Sequence, residues 1–186
     1  MTSGKHKIRP ATLEAIIEAA TAIFSANPNA SMSEVAIKAG VGRATLHRHF
    51  PTRNDLLREI GHRCVRETNA AAAALISEDQ TSLEQLQNAF RAVIPLGDQY
   101  HFLNQAVGGD EALDAAYAAQ LDWLKQLIRT LKADGHVDPE LPEEWVLALI
   151  DQLIWTAWEQ ASRGLIRVQE APRLALRTLL KGVQPD

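Results

Sequence analysis

Between Ser31 and Leu57 the chain reads SMSEVAIKAGVGRATLHRHFPTRNDLL, and this stretch leaves little choice of local structure. Ser31 with Glu34 three residues on has the spacing of a capping box, hydroxyl to backbone one way and carboxylate to backbone the other. Val35 and Ala36 then give a first short helix an inner face, and Gly40 ends it where a left-handed backbone is cheap. Val41 plugs the turn, and a second short helix opens near Gly42 and Arg43. Leu46 and Phe50 stand four apart on that helix and point inward together. Pro51 stops it, and Thr52 with Asp55 forms a second capping pair at the head of the next helix. A small residue where two helices cross, a glycine to turn and an apolar anchor six residues later is the spacing of a helix-turn-helix.

With Leu46 and Phe50 inward, a rotation of about 100° per residue turns Ala44, Thr45 and Arg48 outward, with His47 and His49 on the flanks. Arg53 follows at a helix N-terminus. Such a face suits a major groove with phosphates on either side. The same spacing also suits a helical hairpin whose charges are simply solvated.

Together with the preceding VAIKAG, the run GVGRATLHRHFPTRNDLL closely resembles the DNA-binding motif of the tetracycline-repressor (TetR) family of bacterial regulators. The motif-level likeness runs from about Leu13 to Leu57; beyond it the chain is similar only in length and helical layout. The resemblance implies a three-helix DNA-binding head over residues 1–52 and a larger helical effector-binding and dimerisation domain over 53–186, about nine helices in all. It implies a dimeric repressor released from its operator by a small apolar or amphiphilic effector, not an enzyme, with no cofactor and no metal, in a bacterial cytoplasm. The expected DNA contacts are Ser33, Arg43, Ala44, Thr45, His47, Arg48, His49 and Arg53. Two positions depart from the family. His47 stands where a phosphate-touching tyrosine is usual, which makes that contact pH-sensitive. Gly42 replaces the usual serine-like cap, at a cost of a few tenths of a kcal/mol, roughly.

Composition agrees with an all-α chain. Pro and Gly are few and fall where helices break, and no alternating β-branched runs occur. No apolar run approaches the roughly 18 residues needed to span a bilayer. The N-terminal MTSGKHKIRP is basic with no apolar segment behind it, unlike a secretory signal. A single cysteine, Cys64, forbids an internal disulfide and fits a reducing compartment. The net charge of −4 is polarised: residues 1–63 hold nine Lys or Arg against five acids, leaving −8 for the rest. A basic end is drawn to phosphate and an acidic body is pushed off it. Lys5, Lys7 and Arg9 precede Pro10 in a segment too polar to pack, either an arm reaching DNA or a solvated tail.

Further along, Leu13, Ile16, Ile17, Ala20, Ile23 and Phe24 make one apolar stripe that ends at Asn27-Pro28-Asn29. A long helix from Arg53 links head to body. Thr81 with Glu84 starts another, broken at Pro95-Leu96-Gly97. A short helix is expected around Asp98 to Val107, and Asp110 caps a long one closed by Asp134-Gly135. Pro142 fits a first helical position. The helix after it has Trp145, Leu149, Gln152 and Thr156 on one line and Leu147, Ile150, Ile154 and Trp158 on another, so both sides expect cover. A last helix is expected over about Glu170 to Lys181. The resemblance implies a four-helix dimer bundle from these two helices and their copies, with Leu147, Ile150, Ile154, Trp158, Leu176, Leu179 and Leu180 at the interface. A two-fold pair of heads would then sit roughly 34–36 Å apart.

For an effector pocket the candidates are Cys64, Phe90, Tyr100, His101, Phe102, Trp123, Gln152 and Trp155, apolar walls with a few polar groups. Ordinary core aromatics are the competing reading. Two other functions remain open at this point: a regulator governed by a protein partner or by nothing, and a helical enzyme or carrier with a vestigial head. Against the latter, no Ser/His/Asp set, phosphate loop or clustered metal ligands stands out.

Overall fold

A computed structural model describes residues 10–100, 102–103 and 110–184 of the 186. Helix α1 spans Pro10–Ala26, α2 Met32–Lys38, α3 Arg43–His49 and α4 Arg53–Leu75. Then come α5 (Ser82–Val93), a 3-10 turn (Ile94–Leu96), α6 (Gly97–Tyr100), α7 (Glu111–Ala133), α8 (Glu143–Ser162) and α9 (Ala171–Val183). Every regular element among the described residues is helical.

Local chemistry accounts for the helix ends. Complete capping boxes start α2 (Ser31 with Glu34), α4 (Thr52 with Asp55) and α5 (Thr81 with Glu84). Their carboxyls accept bonds from the cap hydroxyls and backbone, which holds all three below the usual carboxylate range. Helix α2 closes at Gly40, φ +67°, where Gly40 N–H donates to Ile37 O at 3.1 Å and Val41 N–H to Ala36 O at 3.0 Å. That pair of bonds is a Schellman closure, and it needs a residue without a Cβ penalty. Pro142 sits one place earlier than expected: extended at φ −59°, ψ 135°, it is the N-cap of α8. Helix α9 runs Ala171–Val183, shifted slightly from the expected bounds. Only Gly97–Tyr100 of the expected Asp98–Val107 helix is helical in the described residues, with Phe102 and Leu103 in a following 3-10 turn.

In the head, Ile16, Ile17, Ala20 and Phe24 of α1 meet Val35, Ala36, Leu46 and Phe50, all buried. Burying each such large apolar side chain contributes about 1.5–3 kcal/mol. The same core continues through Leu56, Leu57 and Ile60 of α4 into the body, where Leu86, Phe90, Ile128, Leu131, Val146 and Ile150 are buried. The Phe24 and Phe102 rings meet edge-on with centroids 5.9 Å apart, so α1 also packs on the turn that follows α6. Gly97 lets α6 lie against α8: a Cβ there would stand 2.9 Å from Cβ of Trp158 and closer still to its ring. The Trp158 indole N–H donates to Val93 O at 3.2 Å.

This packing corrects most of the expected interface set. Leu147, Ile150, Trp158 and Leu179 are buried within their own chain, and Ile154, Leu176 and Leu180 are partly so. The outward line on α8 is the other one: Trp145 is 58% exposed, and Gln152 and Thr156 are exposed with it. On α9, Leu174, Arg177 and Thr178 face out. The line of α8 first assigned outward is the one that fills the chain's own core.

Candidate nucleic-acid interface and body cavity

Helix α3 is seated by Leu46, which is buried, and by the Phe50 cap, whose N–H donates to Leu46 O at 2.8 Å. Gly42 is its N-cap and supplies no side-chain bond. Seated this way, α3 exposes Arg43, Ala44, His47 and Arg48, with Thr45 and Ser33 of α2 half-buried at the margin. Neither Arg43 nor Arg48 has a hydrogen bond or ion pair among the described residues. Exposed His47 has its Nδ1 3.4 Å from Pro51 O.

The cations of α4 are engaged elsewhere. Arg58 pairs with Asp55 at 3.0 Å and Arg66 with Glu59 at 3.5 Å. Arg63 Nε donates to Glu67 at 2.7 Å, while its Nη1 stands 3.0 Å from Glu14 of α1 without hydrogen-bond alignment. Burial works against the Arg63 charge, but Glu67 outweighs it and holds the pKa above its ordinary value. Tyr100 donates to the other Glu67 oxygen at 2.7 Å, closing a chain from α1 through α4 to α6.

Arg53 is the clearest correction. Expected at a phosphate, its guanidinium is spent inside the head: Nη1 donates to Ala30 O at 2.5 Å and Nη2 to Pro28 O. It also lies 4.1 Å from the centroid of the Phe24 ring. Arg53 ties the α1–α2 loop to the start of α4. His49 is a second correction. It is half-buried, with Nε2 enclosed and unpartnered, in a shallow groove beside Asp55, Arg58, Glu59 and His62 of α4. A position three residues from Leu46 turns toward the neighbouring helix, not to the flank of the exposed face. Lys5, Lys7 and Arg9 lie outside the described residues.

The body holds a cavity of about 850 Å³ walled by α4, α5, α7 and α8. Cys64, Phe90, Trp123, Gln152 and Trp155 line it, as expected for a pocket; burial pushes the Cys64 thiol up to about 12, so it stays an unreactive wall. Tyr100 and Phe102 do not line it: Tyr100 is fully buried against Glu67, and Phe102 packs on Phe24. Both serve the seam between head and body. His101 lies outside the described residues. Sequence reading missed Tyr117 and Asp151, which face the cavity and whose hydroxyl and carboxylate are hydrogen-bonded. Burial and this bond push the Tyr117 hydroxyl well above the usual phenol range. Thr68 and Gln120, bonded at 2.8 Å, were also missed. Single polar residues on separate helices give no sequence signal that they meet. Asp110, which caps α7 by accepting from Leu113 N–H at 2.8 Å, stands 3.5 Å from His62 Nε2.

Residues 16–60 match the family model of bacterial regulatory proteins of the tetR family. The HTH-type transcriptional repressor LfrR of Mycolicibacterium smegmatis is 29% identical over 163 residues, covering 87% of this chain and 85% of that protein. The crystal structure of LfrR from Mycobacterium smegmatis in complex with proflavine superposes with a TM-score of 0.76 at 22% identity, covering 94% and 98% of the two chains. The ketosteroid transcriptional regulator KstR2 of Mycobacterium tuberculosis does so at 0.74 and 17%, covering 97% and 98%. At those identities the superpositions speak for the fold, while the head's sequence match and the LfrR alignment speak for kinship. Residues 16–60 thus carry the head that defines bacterial regulators of the tetR family, and the chain as a whole is similar to a repressor of that type.

Proposed function

We propose that the protein is a dimeric, effector-gated repressor that reads operator DNA through the exposed face of α3. The observation that carries this reading is the division of the arginines. Those of α4 are paired with acids or backbone, whereas Arg43 and Arg48 stand exposed on α3 with no partner among the described residues. Unpaired cations beside a short polar helix suit phosphate positioning and base readout together. In this reading Ser33, Thr45 and His47 complete the contact surface. The head of residues 1–52 and the body of 53–186 then communicate through α4.

The cavity is the effector site in this proposal. Its volume falls within the range of small-molecule pockets, and relatives of the same fold carry names that couple regulation to small molecules. An effector releases DNA only by binding the two conformations with different affinity. The outward faces of α8 and α9, with Trp145, Leu149 and Leu174, form the dimer surface in this reading. Binding of purified protein to genomic fragments, with and without candidate effectors, tests it. Equal affinity for every fragment removes the operator reading. Specific binding that no small molecule weakens leaves a regulator without a small-molecule gate.

A further inference from the structure

The charged residues on the cavity wall are all of one sign. Glu78, Asp114 and Asp151 line it, and no lysine, arginine or histidine does among the described residues. Asp151 is the deepest-set of the three. It is half-buried on α8 next to buried Ile150, whereas Glu78 and Asp114 are exposed toward the rim.

Asp151 is also the one with a built environment. Tyr117, reaching from α7, donates its hydroxyl to Oδ1, and the Gln152 amide stands 3.4 Å from Oδ2. Because burial and that bond hold the Tyr117 proton firmly, the phenol remains a donor and the carboxylate an acceptor. A carboxylate has about four lone-pair positions, so Asp151 retains capacity toward the void. The indoles of Trp155 and Trp158, ring centroids 4.8 Å apart at 77°, line the same cavity, as does Trp123, which is 39% exposed. Indole rings attract positive charge through their quadrupole, and a carboxylate away from bulk water attracts it more strongly than one in solution. A ligand anion would meet three carboxylates and no counter-charge.

We propose that the cavity selects an aromatic organic cation, with the Asp151 carboxylate as its counter-ion and the surrounding indoles as its apolar walls. The inference rests on reading the cavity as a ligand site and adds the charge class of what enters it.

One ring system in three charge states tests it: N-methylacridinium, acridine at mildly alkaline pH where it is neutral, and acridine-9-carboxylate. Titrated into the intact protein and followed by quenching of tryptophan fluorescence, N-methylacridinium should bind about tenfold or more tighter than acridine, and the carboxylate most weakly. Asp151→Asn should remove about that tenfold preference for N-methylacridinium over acridine, while Asp151→Glu should keep it; circular dichroism verifies that each variant is folded. Equal or tighter binding of acridine or of the carboxylate by the native chain overturns the proposal, as does failure of all three to bind. The native chain alone therefore decides, even if a variant misfolds. Operator release by a neutral apolar compound in the same preparation would uphold the effector site while the charge selectivity fell.

Discussion

The Arg53 guanidinium lies over the Phe24 ring, 4.1 Å from its centroid, and donates to the carbonyls of Ala30 and Pro28. The contact joins the end of α1, the loop before α2 and the first turn of α4 with a single side chain. Arg53→Ala should therefore act on stability. Two bonds to backbone and one ring contact correspond to a loss of about 1–3 kcal/mol. Urea denaturation measures it. The salt dependence of operator binding, scaled for folded protein, should keep its slope; a shallower slope would return Arg53 to the phosphate contacts.

Arg48→Ala should weaken operator binding by about 1–3 kcal/mol and relax discrimination at one or two base positions if Arg48 reads bases. Competition between operator and random duplex separates the cases. Equal losses on both make Arg48 a phosphate contact, and no loss on either removes α3 as the reading helix.

His47 is exposed on the same side as Arg48, whereas His49 is turned into the groove beside α4. His47→Ala should therefore weaken operator binding by about 0.5–1.5 kcal/mol, the net worth of one hydrogen bond, and His49→Ala should not. Titration of labelled operator measures both. A loss that follows His49 instead would mean that the groove reaches the DNA.

Three capping carboxyls, Glu34, Asp55 and Glu84, are held below their ordinary pKa by bonds from Ser31, Thr52 and Thr81. A group depressed in the folded chain adds stability once the pH is above its unfolded value. The increment disappears as the pH falls through the folded one. The urea midpoint should thus decline as pH drops out of the usual carboxylate range. In the double variant Ser31→Ala, Thr81→Ala the decline should be smaller, because less remains to lose. Identical pH curves for both proteins would contradict this.

In the dimer proposed above, Trp145→Glu should shift the chain to a monomer on sedimentation without altering helix content, since the side chain is 58% exposed and supports no core of its own chain. Leu179→Glu should unfold the body, because Leu179 is 3% exposed. A Trp145→Glu dimer as tight as the native one would move the interface elsewhere.

Local signals proved the most legible. The capping boxes at Ser31, Thr52 and Thr81 were readable as a hydroxyl and a carboxyl three residues apart, and each occurs as read. Leu46 and Phe50 faced inward as their spacing required. What failed depended on tertiary neighbours. Periodicity identified two apolar lines on α8 but not which of them the chain's own α6 and α9 would cover. Arg53 looked like a free cation because its partners, Pro28 and Ala30, are backbone carbonyls more than twenty residues away. Tyr117 and Asp151 were invisible as a pair for the same reason: residues 34 apart share a bond only after α7 and α8 have packed.

Helix α4 runs 23 residues without a break, from the Arg53 clasp to Leu75. Leu56 of this rod is buried in the continuous core, and Thr68 of the same rod lines the cavity. Between those two residues lie twelve steps of rise, about 18 Å. A rigid rod converts angle into displacement. Pivoting it by about 5° at the cavity end carries the other end sideways by about 1.6 Å, half the length of a hydrogen bond, over that same span. In the effector-gated reading proposed above, a guest that nudges one wall is thereby amplified at the far end.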